Sequence, residues 1–297
     1  MDTPPKIRSS ATDPQPSPNA STAATTTART YYDSPDADTF YHTIWGGSDI
    51  HIGLYTSPTD SIATASQRTV SHMATLISPI TASTHILDMG AGYGGAARYL
   101  AKTFGCKVTC LNLSEVENER NRQMTREAGL AGLVEVVEGS FEDVPLGDHT
   151  IDVVWSQDAF LHSGNRAKIM QEIDRVLVQE GGRVVFTDPM ASEDADVENL
   201  KPILQRLHLD SLGSYQFYRD EFVKIGYEDL GFDDHTDQLV EHYSRVLQEL
   251  KAREEELEGK ISDEYVENMK IGLNHWIEGG RSGQLSWGII QFPPRVV

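Results

Sequence analysis

The sequence predicts a doubly wound α/β fold built on a mostly parallel, seven-stranded sheet, and three observations carry that prediction. Apolar strand-like runs alternate with helical patterns between residues 85 and 187. A glycine turn, Gly90-Ala-Gly-Tyr-Gly-Gly95, joins the first of those strands to the first of those helices. Polar residues then cluster where several strands end, which is where open α/β sheets gather ligands. A chain of 297 residues is long for one domain, but this class accommodates the length with an appended cap.

Residues 1–28 are rich in Pro, Ser, Thr and Ala and hold almost no large apolar side chain, so a disordered tail is expected there. Lys6, Arg8 and Arg29 against few acids also suit a cleaved transit peptide. Order is expected to begin near Tyr31, in a lid over residues 29–80 that carries several aromatics before Gly46-Gly47 and a helix over 62–77 ahead of Pro79. The core, residues 81–193, reads as strand 85–88, helix 93–104, strand 107–111, helix 115–128, strand 134–137, strand 151–156, helix 167–178 and strand 182–187. Residues 194–297 supply a helical cap and two closing strands, 227–232 and 286–292. The amphipathic helices expected over 238–257 and 264–277 have charged outer faces that suit either a substrate cap or a homodimer surface.

Twenty-five basic residues against 45 acidic ones give a net charge of −20, which argues against nucleic acid and anionic lipid and favours small-molecule partners. Cys106 and Cys110 share one predicted strand, where four residues span roughly 13 Å, too far for a disulfide. With no other cysteine, that points to packing in a reducing, cytoplasmic setting. No run approaches the roughly 20 apolar residues that cross a membrane. The ten histidines show no paired ligand spacing beside cysteines, so no metal is expected. No G-x-S-x-G elbow occurs for serine hydrolysis.

The most informative run is His85-Ile-Leu-Asp-Met-Gly-Ala-Gly-Tyr-Gly-Gly95. Its glycines let the backbone turn sharply beside a ligand, and the following helix offers unpaired N–H groups to an anion such as a carboxylate. Gly90, Gly92 and Gly95 also satisfy the dinucleotide pattern G-x-G-x-x-G, but Asp88, two residues earlier, would repel a pyrophosphate. A sulfonium cofactor with an amino-acid end meets no such penalty. The string Leu-Asp-Met-Gly-Ala-Gly-Tyr-Gly resembles the first motif of the class I S-adenosylmethionine-dependent methyltransferases.

That resemblance implies S-adenosylmethionine as cofactor, S-adenosylhomocysteine as product, and Asp88, Gly90, Ala91 and Gly92 at the methionine part. At the end of the second strand, Val108-Thr-Cys-Leu-Asn-Leu-Ser114, the family normally has an acid for the ribose hydroxyls; here stands Asn112, a departure that loses a charge-assisted bond. Ser140 occupies the place of an Asp that commonly meets the adenine amine, with Leu113 and Phe141 gripping the two faces of the base; Phe141 equally suits the core. In Trp155-Ser-Gln-Asp-Ala-Phe-Leu-His162, polar groups exceed what packing requires. Gln157 is assigned to the cofactor, and Asp158 and His162 to the space where cofactor meets substrate.

The segment 41–55 is dense in aromatic and histidine side chains joined by glycines, as a lid would be. From about Tyr31 to Phe292 the chain resembles the sarcosine and dimethylglycine N-methyltransferases that make glycine betaine. The likeness rests on Ile44-Trp-Gly-Gly47, His51-Ile-Gly-Leu-Tyr55, Trp155 to His162, Thr187-Asp-Pro-Met190 and His275-Trp-Ile-Glu-Gly-Gly-Arg281. It implies a small amine acceptor. Making a quaternary ammonium then calls for aromatic walls, for which Tyr41, Trp45, Tyr218 and Trp276 are candidates, with His51 alongside. The acceptor's carboxylate calls for a forked cation, Arg219 or Arg281. Two other readings stay open: a methyltransferase of a larger ring or lipid acceptor, of tocopherol or sterol type, and a catalytically silent module that docks a partner on the charged segment 247–260.

Overall fold

A computed structural model describes residues 18–293. Three helices precede the sheet: α1 (Pro18–Tyr32), α2 (Pro35–Thr43) and α3 (Ile62–Leu76). The alternating part runs β1 (His85–Met89), α4 (Gly95–Phe104), β2 (Lys107–Asn112), α5 (Glu115–Glu127), β3 (Val134–Glu138), β4 (Val153–Gln157), α6 (Arg166–Val176) and β5 (Arg183–Thr187). Then follow β6 (Met190–Ala191), α7 (Val197–Leu207), α8 (Tyr215–Lys224), β7 (Phe232–Asp234), α9 (Thr236–Ala252), α10 (Asp263–Arg281), β8 (Leu285–Ser286) and β9 (Gly288–Phe292).

The seven-stranded sheet has the order β3-β2-β1-β4-β5-β9-β7. The first five strands are parallel, and β9 runs antiparallel to both β5 and β7. Strand β1 is buried nearly throughout, Asp88 included, because helices cover both faces of a parallel sheet. One face packs Leu87, Phe160, Phe186 and Phe292; the other packs Met73, Ile86, Trp155 and Ile289. A third cluster joins the N-terminal helices to the C-terminal ones through Phe40, Trp45, Leu239, Val246, Leu273 and Trp276, and it roofs the carboxyl ends of the strands.

Local chemistry sets the helix starts. Ser34, Ser61, Ser114, Ser214 and Ser262 each accept a backbone N–H of the first turn of the helix they precede. Gly94 caps α4 at φ +72°, where a Cβ would also stand within 2.4 Å of the Asn121 amide, so only glycine fits.

The structure departs from expectation at both ends of the chain. Residues 18–28, assigned by composition to a disordered tail, belong to α1; residues 1–17 lie outside the described residues. The strand expected over 227–232 shrinks to β7, because Gly226 and Gly231 turn the chain at φ +93° and +96°. Tyr227 instead packs edge-on against Phe222 and Phe292. The final strand splits at Trp287, so that β8 pairs with β6 outside the main sheet. Among the described residues no helix is long and apolar enough to cross a membrane.

Candidate active site

Chain connections diverge between neighbours β1 and β4, since β2 and β3 lie to one side and β5 to the other. Two adjoining cavities open there. The first, about 620 Å³, is lined by Gly90, Gly92, Asn112, Leu113, Glu117, Phe141 and Gln157, with Ala28, Tyr32 and Ile50 closing over them. Gly90 and Gly92 take φ +82° and +50°, and a Cβ on Gly90 would stand 2.3 Å from that of Ala159. The Gln157 Oε1 accepts the Trp155 indole N–H at 3.0 Å, while its Nε2 is buried without a hydrogen-bond partner among the described residues. An unpaired buried donor is costly unless a ligand completes it. Asn112 Nδ2 donates to Glu117 Oε2 at 2.9 Å. Burial pushes the Glu117 carboxyl up to about 7, although the Asn112 bond opposes the shift.

The second cavity, about 580 Å³, is walled by Tyr31, Tyr32, Tyr41, Trp45, Tyr243 and Trp276. Tyr243 and Trp276 stack with centroids 5.2 Å apart and planes 12° from parallel. The Trp45 Nε1 is buried without a hydrogen-bond partner among the described residues. Arg206, on α7, enters the same cavity beside Met269, whose sulfur lies 2.8 Å from Nη2. Among the described residues no carboxylate pairs with this guanidinium.

Asp158, His162, Tyr32 and Ile50 line both cavities and form the wall between them. Asp158 sits at φ +52° and accepts three hydrogen bonds: from the Ile52 N–H at 2.6 Å, Thr187 Oγ1 at 2.8 Å and Trp287 Nε1 at 2.7 Å. Burial raises its pKa against those bonds and the nearby His51. His162 Nε2 meets the Tyr32 hydroxyl at 3.0 Å, and burial, helped by Arg166, lowers its pKa to about 4. His51 behaves oppositely. Burial disfavours its charge, but Asp49, with Asp158 and the Ile52 carbonyl, outweighs that and raises its pKa. Nδ1 stands 3.2 Å from the Ile52 carbonyl, which assigns the proton to Nδ1 and leaves the Nε2 lone pair 3.4 Å from Asp49.

Residues 87–186 match the model of a methyltransferase domain. A sarcosine/dimethylglycine N-methyltransferase of Halorhodospira halochloris is 54% identical over 90% of this chain and 95% of its own. A glycine/sarcosine/dimethylglycine N-methyltransferase of Actinopolyspora halophila is 58% identical over 89% of this chain, which spans only 46% of that longer relative. A solved structure from Galdieria sulphuraria, provisionally assigned as a sarcosine dimethylglycine methyltransferase, is 44% identical, with a TM-score of 0.84 over 89% of this chain and 99% of its own. The chain belongs to the sarcosine/dimethylglycine N-methyltransferase family.

Against this family background, the structure brings Gly90, Gly92, Asn112, Leu113, Phe141 and Gln157 to the first cavity and Tyr41, Trp45, His51 and Trp276 to the second, with Asp158 and His162 between. Six expectations are corrected. Tyr218 is fully buried and donates to Asp188 at 2.7 Å, because it faces the sheet rather than the cavity. Arg219 and Arg281 lie at the surface, paired with Asp220 and Glu278. The Ser140 hydroxyl accepts the Glu142 N–H of its own turn, and Ser140 lines neither cavity. The Ala91 N–H is spent on the Leu111 carbonyl at 3.2 Å. Asp88 is buried behind the glycines and lines neither cavity; burial raises it to about 7, with His51 opposing and Asp49 reinforcing.

Sequence reasoning missed Glu117, Arg206, Tyr32 and Tyr243. Glu117 had a readable signal: Ser114-Glu-Val-Glu117 is a capping box, which turns its acid back toward the strand ends. Arg206 had none, being one cation on an amphipathic helix.

Proposed function

We propose that this chain methylates sarcosine and N,N-dimethylglycine to glycine betaine, with S-adenosylmethionine as donor, in a reducing cytoplasm. The observation that carries this reading is an aromatic cavity holding one guanidinium that has no carboxylate partner among the described residues, opening beside the strand-end cleft. Such a lining suits a molecule that is cationic at one end and a carboxylate at the other.

The donor fits the residues present. Gly90 and Gly92 leave room for its methionine part near Asp88, Leu113 and Phe141 offer apolar faces to the base, and the Asn112–Glu117 pair restores the acid that Asn112 lacks for the ribose. The free Gln157 Nε2 supplies a further donor. When bound, this cofactor provides a methyl group made electrophilic by its sulfonium.

The protein's task is alignment and proton control. Arg206 holds the acceptor's carboxylate, which orients its nitrogen toward the wall shared by the cavities. Both acceptors arrive as ammonium ions and must lose a proton before the lone pair can attack. His51 is the fitting acceptor of that proton, since its Nε2 lone pair is free of hydrogen bonds and Asp49 raises its basicity. His162, with a pKa near 4, stays neutral and positions Tyr32. The tertiary amine yields a product without an N–H proton. Its fixed charge is then stabilised by the aromatic faces at about 0.5 to 2 kcal/mol per contact. The test is incubation of the purified chain with methyl-labelled cofactor and each amine: label should enter dimethylglycine and glycine betaine. Transfer to neither amine, while the cofactor binds, would overturn the assignment.

A further inference from the structure

His72 on α3, Asp233 on β7 and His235, just beyond β7, line neither cavity. His72 Nε2 and His235 Nε2 each stand 3.2 Å from one and the same oxygen, Asp233 Oδ2. The three atoms all lie within 4.8 Å of one another. A tetrahedral zinc ion with bonds of about 2.0 Å spaces its ligand atoms by about 3.3 Å. His235 Nε2 is buried and, although close to Asp233, is not aligned for a hydrogen bond with it. A nitrogen directed beside its neighbour rather than at it suits donors that converge on a shared point.

We propose that these three residues form a site for a divalent transition-metal ion of the zinc type. Two imidazoles and a carboxylate favour such ions over magnesium or calcium, which take oxygen ligands. His72 and Asp233 remain 38% and 45% exposed, so water completes the coordination. The backbone already fixes the donors. Asp233 pairs with Ile289 across the sheet, and the His235 N–H donates to the Trp287 carbonyl at 2.9 Å. A bound ion would pin α3 to a three-residue edge strand that has only one neighbour. The histidines are scattered along the sequence because the site closes between elements 161 residues apart.

The experiment is calorimetric titration of the tag-free, chelator-stripped full chain with Zn²⁺, beside Mg²⁺. One saturating equivalent of Zn²⁺ and none of Mg²⁺ is expected. His72→Gln and Asp233→Asn should each weaken binding by more than the roughly tenfold to hundredfold cost of losing an outer-shell partner. Both positions are partly exposed, so unchanged melting temperature without metal serves as the folding control. The Co²⁺-loaded protein should show the intense visible bands of a tetrahedral site, lost in both variants. Absence of saturable Zn²⁺ binding, or binding and bands that persist in both variants, would overturn the proposal.

Discussion

The two cavities differ in how they are made. The proposed cofactor cleft is drawn mainly from turns that directly follow β1, β2, β3 and β4, so its shape belongs to the backbone. The proposed acceptor cavity takes side chains from α1, α2, α7, α9 and α10, spread from Tyr31 to Trp276, and exists only once those helices have packed. A site of the first kind tolerates changes in side chains but not in glycines. A site of the second kind can be re-specified one side chain at a time.

The sharpest way to break this division is at the wall. Asp158→Ala strands three buried donors, each at about 1 to 3 kcal/mol. At several kcal/mol in all, the melting temperature should fall by about 10 °C, and affinity for both ligands should fall with it. Loss of turnover with unchanged melting temperature would instead make Asp158 a purely chemical residue. Next in size, Arg206→Met should raise the amine KM by roughly 10- to 150-fold, the worth of a charge-assisted bond, and leave the cofactor Kd unchanged. Arg219→Ala should alter neither constant, and steady-state kinetics with calorimetry would distinguish the outcomes.

The smallest effect concerns pH. Burial raises Glu117 to about 7, so the ligand-free protein holds its proton below that pH. A cofactor that pairs with the anionic form must expel that proton, so its affinity should rise with pH up to about 7 and then level off. Glu117→Gln should reduce the slope of log Kd against pH below 7 from about one toward zero in magnitude. An identical slope in the variant would remove Glu117 from the cofactor's partners.

The same division explains what was legible in the sequence. The alternating strands between residues 85 and 187, the glycine turn and the Trp155–His162 run are local patterns, and each fell where expected, whereas the two closing strands did not. Helix α1 was hidden because its Thr- and Ala-rich residues carry little intrinsic signal; it is held by contacts of Tyr31 and Tyr32 with residues far along the chain. Tyr218 and Arg219 were placed in the site, and Arg206 overlooked, for the same reason. Which of two helices turns its polar residue inward depends on packing: α8 buries its tyrosine against Asp188, while α7 offers its arginine to the cavity. Gly272 makes that approach feasible, since a Cβ there would lie 2.1 Å from Arg206 Nη1.

The triple anchor at Asp158 bears on how this enzyme can diversify. One carboxylate fastens the lid turn at Ile52, the end of β5 at Thr187, and the indole that precedes β9. A chimera that borrows a new acceptor-binding roof must therefore inherit the N-terminal turn and the C-terminal tryptophan together, although almost the whole chain lies between them. Recombination at a single breakpoint separates that pair, whereas point substitution in the roof does not. Divergence toward other amines is thus steered to gradual replacement of wall residues rather than exchange of modules.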